Sequence, residues 1–336
     1  MRKPDKLSVL VFTRSWGIVI LFLALFAIFS AWGFPIFGTF DNFSLILGGA
    51  AISTIFAAAI AMGVFSGALD LSVPGVAAIG GVVMAKLMLS GVNVWLAMLA
   101  ALLVGALFGF INAICTLRGL NPLAVTIGTL SVTSGLAAVI TDGPPLFGFT
   151  GLDFLGSDLY FGLPAPIYVV AIVYVLGTIF LTQTRGGTRF LAAGGNAEAL
   201  RRSGVNADLY KMVGFVLSGV LAAVGGIVTT AVTSQASSLA ATGSLFTGLT
   251  AVALSGISLA GGRGSLPKVF VGSIVISEIA SILAIKNIQP FWSTVITGLL
   301  LIGALAGELA IQKQVSKQVV SSGSADAAAK AKKEAK

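Results

Sequence analysis

Two acidic side chains lie inside apolar stretches of this 336-residue chain, and they have the clearest capacity for chemistry. Asp70 is part of the string GALDLSVPG (67–75), and Glu278 lies within the apolar segment 269–285. A carboxylate at membrane depth is costly to desolvate and usually faces the interior of a helix bundle, where it marks a route for ions or solutes. Both residues are therefore candidates for lining a pathway.

Both carboxylates also have structural explanations, which the sequence leaves open. Asp70 is equally suited to capping the next helix, with its charge near the positive end of the helix dipole. Pro74 and the nearby glycines predict a re-entrant or broken helix, which a membrane tolerates only where it is buried in protein or lines water. Serines recur every four residues beside Glu278, at Ser273, Ser277 and Ser281. A structural hydrogen-bond network thus explains Glu278 as well as a pathway does.

Several kinds of site are excluded by residue type. The chain has no histidine and a single cysteine, Cys115, which rules out His-based metal sites, His-dependent catalytic triads and an internal disulfide. The string GGRGSLPK (261–268) lacks the spacing of a phosphate loop and the hydroxyl residue after its lysine. We predict no catalytic residue, no metal site and no cofactor in this chain. Any energy coupling must therefore come from a partner or an ion gradient.

The elements that position these residues are predicted to be membrane helices. Hydrophobic residues make up 57% of the chain and charged residues 10%, whereas soluble domains carry about 25% charged residues. Ten segments approach the length of a membrane crossing: 16–34, 44–67, 71–89, 92–116, 122–141, 163–182, 213–233, 245–260, 269–285 and 291–310. The predicted fold is all-α and polytopic, with about ten transmembrane helices in a single permease-like domain, 1–310, and a flexible tail, 311–336.

The distribution of charge orients these segments. With a cytoplasmic N-terminus, all of the 20 Lys and Arg residues except Lys86 and Lys286 fall on the cytoplasmic side. The opposite connection 142–162 carries three aspartates and no basic residue. The positive-inside rule therefore predicts that both termini are cytoplasmic, and it explains the net charge of +8 without a nucleic-acid partner.

The longest cytoplasmic connection, 183–212, contains a short segment with the signals of a capped helix, GGNAEALRRSG (194–204). The capping residues are Asn196 at the N-cap, Glu198 in the first turn, Arg201 and Arg202 in the last turn, and Gly204 after the end. Two turns are not stable alone in water, so this helix needs a surface. Lipid headgroups could provide one, but we prefer docking into a soluble partner as a coupling helix.

Four strings, in order, resemble the ribose-type permease subunits of bacterial ATP-binding-cassette importers, which handle monosaccharides, autoinducer-2 and, more distantly, nucleosides and branched-chain amino acids. The strings are GALDLSVPG (67–75), LNPLAVTIGTLSVTSGLAAVITDGPP (120–145), TRGGTRFLAAGGNAEALRRSGVN (184–206) and SGISLAGGRGS (255–265). The resemblance runs from residue 44 to about 310. Departures occur at Leu245 and Thr247, where the family commonly has Glu and Asp, and at Pro74, and they predict a divergent subunit.

The resemblance implies alternating access with a small-molecule solute, a lipid bilayer and three protein partners. These partners are cytoplasmic ATPase subunits, an external or periplasmic solute-binding protein facing 142–162 and 234–243, and a second permease, identical or not. ATPase coupling is assigned to Gly194, Gly195, Asn196, Glu198, Ala199, Arg201, Arg202 and Gly204. The pathway candidates are Asp70, Ser72, Asn121, Thr126, Ser277, Glu278 and Ser281.

Two other functions compete with this interpretation. A self-contained, ion-coupled secondary transporter would need its own ion site, which Asp70 and Glu278 could supply. A membrane anchor for an enzyme complex would have no use for helices broken by glycine. The capped helix in 194–204 favours the importer, because a self-contained symporter has no obvious use for it.

Overall fold

The structure is a computed structural model that describes residues 6–156, 158–258 and 261–310. Within these ranges the chain forms thirteen helices and one two-stranded hairpin. The helices are α1 (Lys6–Trp32), α2 (Phe40–Phe65), α3 (Val73–Leu89), α4 (Val94–Leu117), α5 (Pro122–Thr141), α6 (Asp153–Gly156), α7 (Ala165–Gln183), α8 (Arg185–Gly195), α9 (Ala197–Arg202), α10 (Ala207–Thr233), α11 (Ser244–Leu254), α12 (Leu266–Ile285) and α13 (Phe291–Ala310). Strands β1 (Leu159–Tyr160) and β2 (Leu163–Pro164) pair antiparallel. The predicted tail, 311–336, lies outside the described residues.

The expectation of an all-α, polytopic membrane protein is confirmed. Seven helices are long and apolar enough to cross a membrane: α2, α4, α5, α7, α10, α12 and α13. Three shorter apolar helices accompany them, namely the Trp16–Trp32 part of α1, α3 and α11. Each of the ten apolar segments expected from the sequence overlaps one of these ten helices.

Helices α2 and α10 form the centre of the bundle, and glycines allow α4 to approach α10 closely. A side chain at Gly105 would collide with the carbonyl oxygen of Gly219, and one at Gly109 would collide with that of Phe215. The two helices therefore run antiparallel with their backbones in contact, as small residues spaced by four allow. The similar pair Gly303 and Gly307 on α13 has no neighbouring atom within 4 Å of an added Cβ, so spacing alone does not predict packing.

The two ends of the bundle differ in chemistry. The basic end carries Arg118, Arg185, Arg201 and Arg263, at the ends of α4 and α7, in α9 and after α11. The hairpin end carries the β1–β2 hairpin, which is fixed to α2 because the hydroxyl of Ser44 donates a hydrogen bond to the carbonyl oxygen of Gly162, 2.9 Å away. These two names are used below for the two ends.

The irregular segment 66–72 connects α2 and α3, which run in opposite directions along α10, so it is a connection between two helices rather than a break within one crossing. This irregular segment bonds to Asn112, five residues before the end of α4, and thereby to Thr129, seven residues after the start of α5. At 1.5 Å of rise per residue, the α2–α3 connection lies about 8–10 Å inside the basic end. It is therefore surrounded by protein at a depth where exposed backbone would be costly.

Candidate functional site

The side chain of Asp70 organises the connection between α2 and α3. Its Oδ1 atom accepts hydrogen bonds from the backbone nitrogen and the hydroxyl of Ser72, at 2.9 and 2.6 Å. The hydroxyl of Ser72 also accepts a bond of 2.9 Å from the amide of Asn112, whose oxygen accepts one of 2.5 Å from Thr129. Four side chains from the α2–α3 connection, α4 and α5 therefore form one buried network.

Asp70 does not cap α3, contrary to one of the two explanations from sequence. The N-cap position is Ser72, which makes no side-chain capping bond, and Asp70 bonds to Ser72 itself rather than to the first turn of the helix. The carboxylate instead stabilises the turn that leads into α3. Aspartate side chains commonly accept a hydrogen bond from the backbone N–H two residues further along the chain, as here. Asp70 therefore stabilises, from inside the bundle, the connection that leads into α3.

The second oxygen of Asp70 lacks a hydrogen bond of standard geometry within the described residues. The hydroxyl of Ser218 on α10 interacts with this carboxylate, but Ser218 Oγ also has no standard hydrogen bond. Asp70 is completely buried, and no ion pair involves it in the described part of the chain. A buried acidic group with an unused acceptor atom is therefore present at this site.

Glu278 is the second completely buried carboxylate, and both of its oxygens lack hydrogen-bond partners among the described residues. Ile274 and Ile282, one turn before and after it, belong to an apolar cluster with Ile46 and Ala50 of α2. Residues four apart share a helix face, so Glu278 lies on the face of α12 that is turned towards α2.

The serines beside Glu278 do not form a network with it. Ser273 donates to the carbonyl oxygen of Val269 in its own helix, at 3.2 Å. Ser281 donates to the side-chain oxygen of Asn42 on α2, at 2.8 Å. The structural explanation from sequence, a hydrogen-bond network that includes Glu278, is therefore absent from the described residues.

A cavity of about 610 Å³ opens between the hairpin-end halves of α2 and α12. We call it the α2–α12 groove, and its polar lining consists of Thr39, Asp41, Asn42, Ser277 and Ser281. Two pathway candidates, Ser277 and Ser281, therefore face the same space. Sequence reasoning missed Asp41 and Asn42, because they lie where the second apolar segment begins and resemble ordinary helix-start residues.

Asn121 and Thr126 do not join the Asp70 network. The side chain of Asn121 caps α5 by accepting from the backbone nitrogen of Leu123, and Thr126 donates to the carbonyl oxygen of the same residue. The network members that sequence reasoning missed are Asn112 and Thr129. Asn112 could have been found, since it is an uncharged amide within the otherwise apolar segment 92–116.

The capped helix expected in 194–204 is present as α9. Asn196 is its N-cap and accepts from the backbone nitrogen of Ala199 at 2.9 Å, and Gly204 follows the helix with a φ of +80°. Arg201 pairs with Asp208 and Arg202 pairs with Glu198, and no residue of α9 is buried. The helix is therefore built as predicted, with Ala197 and Leu200 half-buried and its remaining residues exposed.

Helix α8, by contrast, is anchored in the bundle and holds α9 in place. Phe190 is completely buried against Phe180 of α7, with ring centres 5.7 Å apart. At the end of α8, a side chain at Gly194 would collide with the carbonyl oxygen of Phe65 and would lie 2.9 Å from the backbone nitrogens of Gly67 and Gly262. We call this meeting of α8, the α2–α3 connection and the α11–α12 loop the glycine junction (Gly67, Gly194, Gly261 and Gly262).

At the hairpin end, two connections expected to face a binding protein are joined to each other. Leu146 and Ala236 exchange two backbone hydrogen bonds, of 2.9 and 3.0 Å. Ala236 and Ala241 are buried, whereas Leu239 is 72% exposed. The segment 234–243 is therefore partly packed into the bundle, and only part of it faces outward.

The sequence was compared with known proteins. A family model described as "Branched-chain amino acid transport system / permease component" matches residues 42–305. The D-allose transport system permease protein of Escherichia coli (strain K12) is 31% identical over 93% of this chain and 96% of its own length. The L-arabinose transport system permease protein of the same strain is 32% identical over 88% and 91%, and its ribose import permease protein is 29% identical over 88% and 94%. No solved structure matches the chain significantly.

Proposed function

The chain belongs to the family of branched-chain amino acid transport system permease components, and we propose, from its sugar-permease relatives, that it moves a sugar or sugar-like solute across the bacterial inner membrane. It is a multi-pass membrane protein and the permease subunit of an ATP-binding-cassette importer. The observation that carries the choice of solute is the near full-length similarity to permeases named for allose, arabinose and ribose.

The proposed topology has ten crossings with both termini in the cytoplasm. The basic end, with α8 and α9, then faces the cytoplasm, and the hairpin end faces outward. The positive-inside rule supports this orientation, because the hairpin-end connection 142–162 has no basic residue. In this orientation α9 is presented to cytoplasmic proteins.

We propose that α9 docks on a separate ATPase subunit, which hydrolyses ATP and drives alternating access. The coupling residues are those assigned from the sequence, from Gly194 to Gly204. A helix of six residues that contacts α8 and α10 and has no buried residue has the form of a docking element, since most of its surface is left accessible. The pathway candidates, Asp70, Ser72, Asn121, Thr126, Ser277, Glu278 and Ser281, remain proposals.

A solute-binding protein is proposed to dock at the hairpin end. The connections joined by the Leu146–Ala236 bridge, together with the exposed Phe161 and Leu239, offer mixed polar and apolar contact there. A second permease subunit completes the proposed transporter. Leu245 and Thr247 stand in α11 where the resembled family commonly has acidic residues, so a non-identical second permease that keeps those acids is one arrangement. A homodimer adapted to a less polar solute is the other.

Reconstitution tests the proposed function. The chain is expected to support uptake of D-allose, L-arabinose or D-ribose into proteoliposomes only with its ATPase, a binding protein and ATP, and vanadate should abolish that uptake. Uptake that continues without the ATPase but stops with an ionophore would identify a secondary transporter instead. Full uptake without any second permease species would establish the homodimer.

A further inference from the structure

Two polar side chains that line the α2–α12 groove are not used to hold its helices together. Within the described residues, the carboxylate of Asp41 and the hydroxyl of Ser277 have no hydrogen-bond partner. Asn42 and Ser281, by contrast, bind each other and hold the two helices together. The groove therefore contains one charged acceptor and one hydroxyl that are free to bind something else.

The groove extends into the depth of the membrane. Asp41 is the second residue of α2, and Gly49, eight residues later, also lines the space, so the groove runs about 12 Å along the helix. Asp41 is exposed at the mouth of the groove, whereas the hydroxyls of Ser277 and Ser281 lie deeper among mainly apolar side chains. Polar groups at that depth are unfavourable against hydrocarbon, so the groove is suited to admitting water and a polar solute.

The same two helices also give the groove an apolar surface. Ala280 and Ala284 of α12 contribute no side chain beyond Cβ, and Leu45 and Ile46 of α2 provide aliphatic surface. A sugar presents both kinds of surface, because its hydroxyls point outward around the ring while its C–H groups form an apolar face. Binding sites for such molecules are mostly apolar pockets of about 300–1,000 Å³ with a few placed polar groups, and 610 Å³ lies within this range.

We propose that the α2–α12 groove is a solute-binding subsite for a neutral polyhydroxylated molecule, with Asp41 and Ser277 as its free polar contacts. The Asp41 carboxylate accepts hydrogen bonds from solute hydroxyls, and bonds to a charged acceptor are stronger than those between neutral groups. This inference rests on the proposed function, which supplies the class of solute. It adds a location and a residue, Asp41, that the sequence did not indicate.

Protection from labelling tests the location. Ser277→Cys is introduced together with Cys115→Ser, and the assembled transporter is labelled with a water-soluble thiol reagent from the hairpin side. Saturating D-allose, L-arabinose or D-ribose, whichever is transported, is expected to slow labelling several-fold. Leu159→Cys in the exposed hairpin is the matched control, and its labelling rate should not change. A cysteine at 277 that does not react, or that reacts equally fast with the sugar, overturns the subsite.

Kinetics tests the role of Asp41. Asp41→Asn is expected to lower kcat/KM for uptake by at least about tenfold, because the solute hydroxyls would lose a charged acceptor, while Asp41→Glu should retain part of the activity. Unchanged uptake by Asp41→Asn overturns the assignment of Asp41.

The outcome also separates this inference from the proposed function. If the unmodified transporter takes up one of the three sugars but the groove variants behave normally, only the subsite is wrong. If it takes up none of them in the presence of ATP, the ATPase and the binding protein, the proposed solute class is wrong and the subsite falls with it.

Discussion

Gly194, at the end of α8, lies against Gly67 in the connection between α2 and α3, where a Cβ added to Gly67 would be 3.1 Å from the Gly194 Cα atom. Gly67 adopts a φ of +86°, a conformation that favours glycine. Asp70 is three residues further along the same connection. The segment that presents α9 is thus in direct backbone contact with the segment that holds a buried carboxylate.

This contact predicts that Gly194→Ala uncouples the transporter. The added methyl group would collide with the carbonyl oxygen of Phe65, so α8 or the α2–α3 connection must shift. Overpacking of this kind costs about 1–3 kcal/mol. We expect uptake to fall by at least about tenfold, an amount that corresponds to 1.4 kcal/mol of altered coupling, while the ATPase still co-purifies. Gly186→Ala, also in α8, is the matched control, because its Cβ would lie 3.6 Å from the nearest atom, and normal uptake by both variants would contradict the prediction.

The N-cap of α9 provides a second test. Asn196→Ala removes the acceptor for the Ala199 backbone nitrogen and should destabilise this short helix by about 1 kcal/mol. Because no residue of α9 is buried, thermal stability of the permease should hardly change while ATPase co-purification and uptake decline. Asn196→Asp keeps an acceptor and should restore both. Equal loss of thermal stability and coupling would show that α9 is part of the packed core instead.

Charge reversal on α9 is expected to act on docking rather than on folding. The ion pairs of Arg201 with Asp208 and of Arg202 with Glu198 are half or more exposed, and such pairs contribute little to stability. The double variant Arg201→Glu and Arg202→Glu should insert normally but lose the ATPase in pull-down measurements. Retained ATPase binding with normal uptake would exclude these arginines from the docking surface.

The effects of Glu278 on stability and on uptake can be measured separately. A buried carboxylate without partners does not stabilise its surroundings, so Glu278→Met is expected to leave the melting temperature in detergent unchanged or higher. Uptake should nevertheless fall, because an intramembrane acid that costs stability is usually kept for function. Normal uptake by Glu278→Met, measured beside its melting curve, would remove Glu278 from the pathway.

The Asp70 network predicts the opposite pattern for Asn112. Asn112→Ala removes the donor to the Ser72 hydroxyl and the acceptor of the Thr129 hydroxyl, and it should lower stability by about 1–3 kcal/mol. Thr126→Val, on the same side of α5 but outside the network, should cost less, since its hydroxyl bonds only within its own helix. Thermal unfolding in detergent compares the two, and equal losses would argue against a network.

The sequence predicted the features that depend on neighbouring residues. Apolar length located the ten helices, and Asn196 with Gly204 located α9, because local rules of hydropathy and capping determine both. The resemblance to ribose-type permeases is also confirmed by the comparisons. Each of these features can be recognised within a stretch of about twenty residues or fewer.

Features that depend on packing between distant segments were not predicted. The bond between Asn42 and Ser281 joins residues 239 positions apart, and Asn112 meets Ser72 across 40 positions. No local pattern specifies these partners, because helix rotation and depth in the bundle decide which polar groups meet. The same applies to the glycine junction, whose members come from three separate strings and differ in no visible way from the other glycines.

The two hydrogen bonds between Leu146 and Ala236 have a topological consequence. They close the chain from 146 to 236 into a ring, which contains α7, α8, α9 and α10. The glycine junction fixes the far side of that ring to the α2–α3 connection. Within this ring α10 also packs against α2, α3 and α4, whereas α9 contacts α8 and α10 and has no buried residue. A displacement of α9 by a docked partner would therefore act through α8 on the segment that contains Asp70.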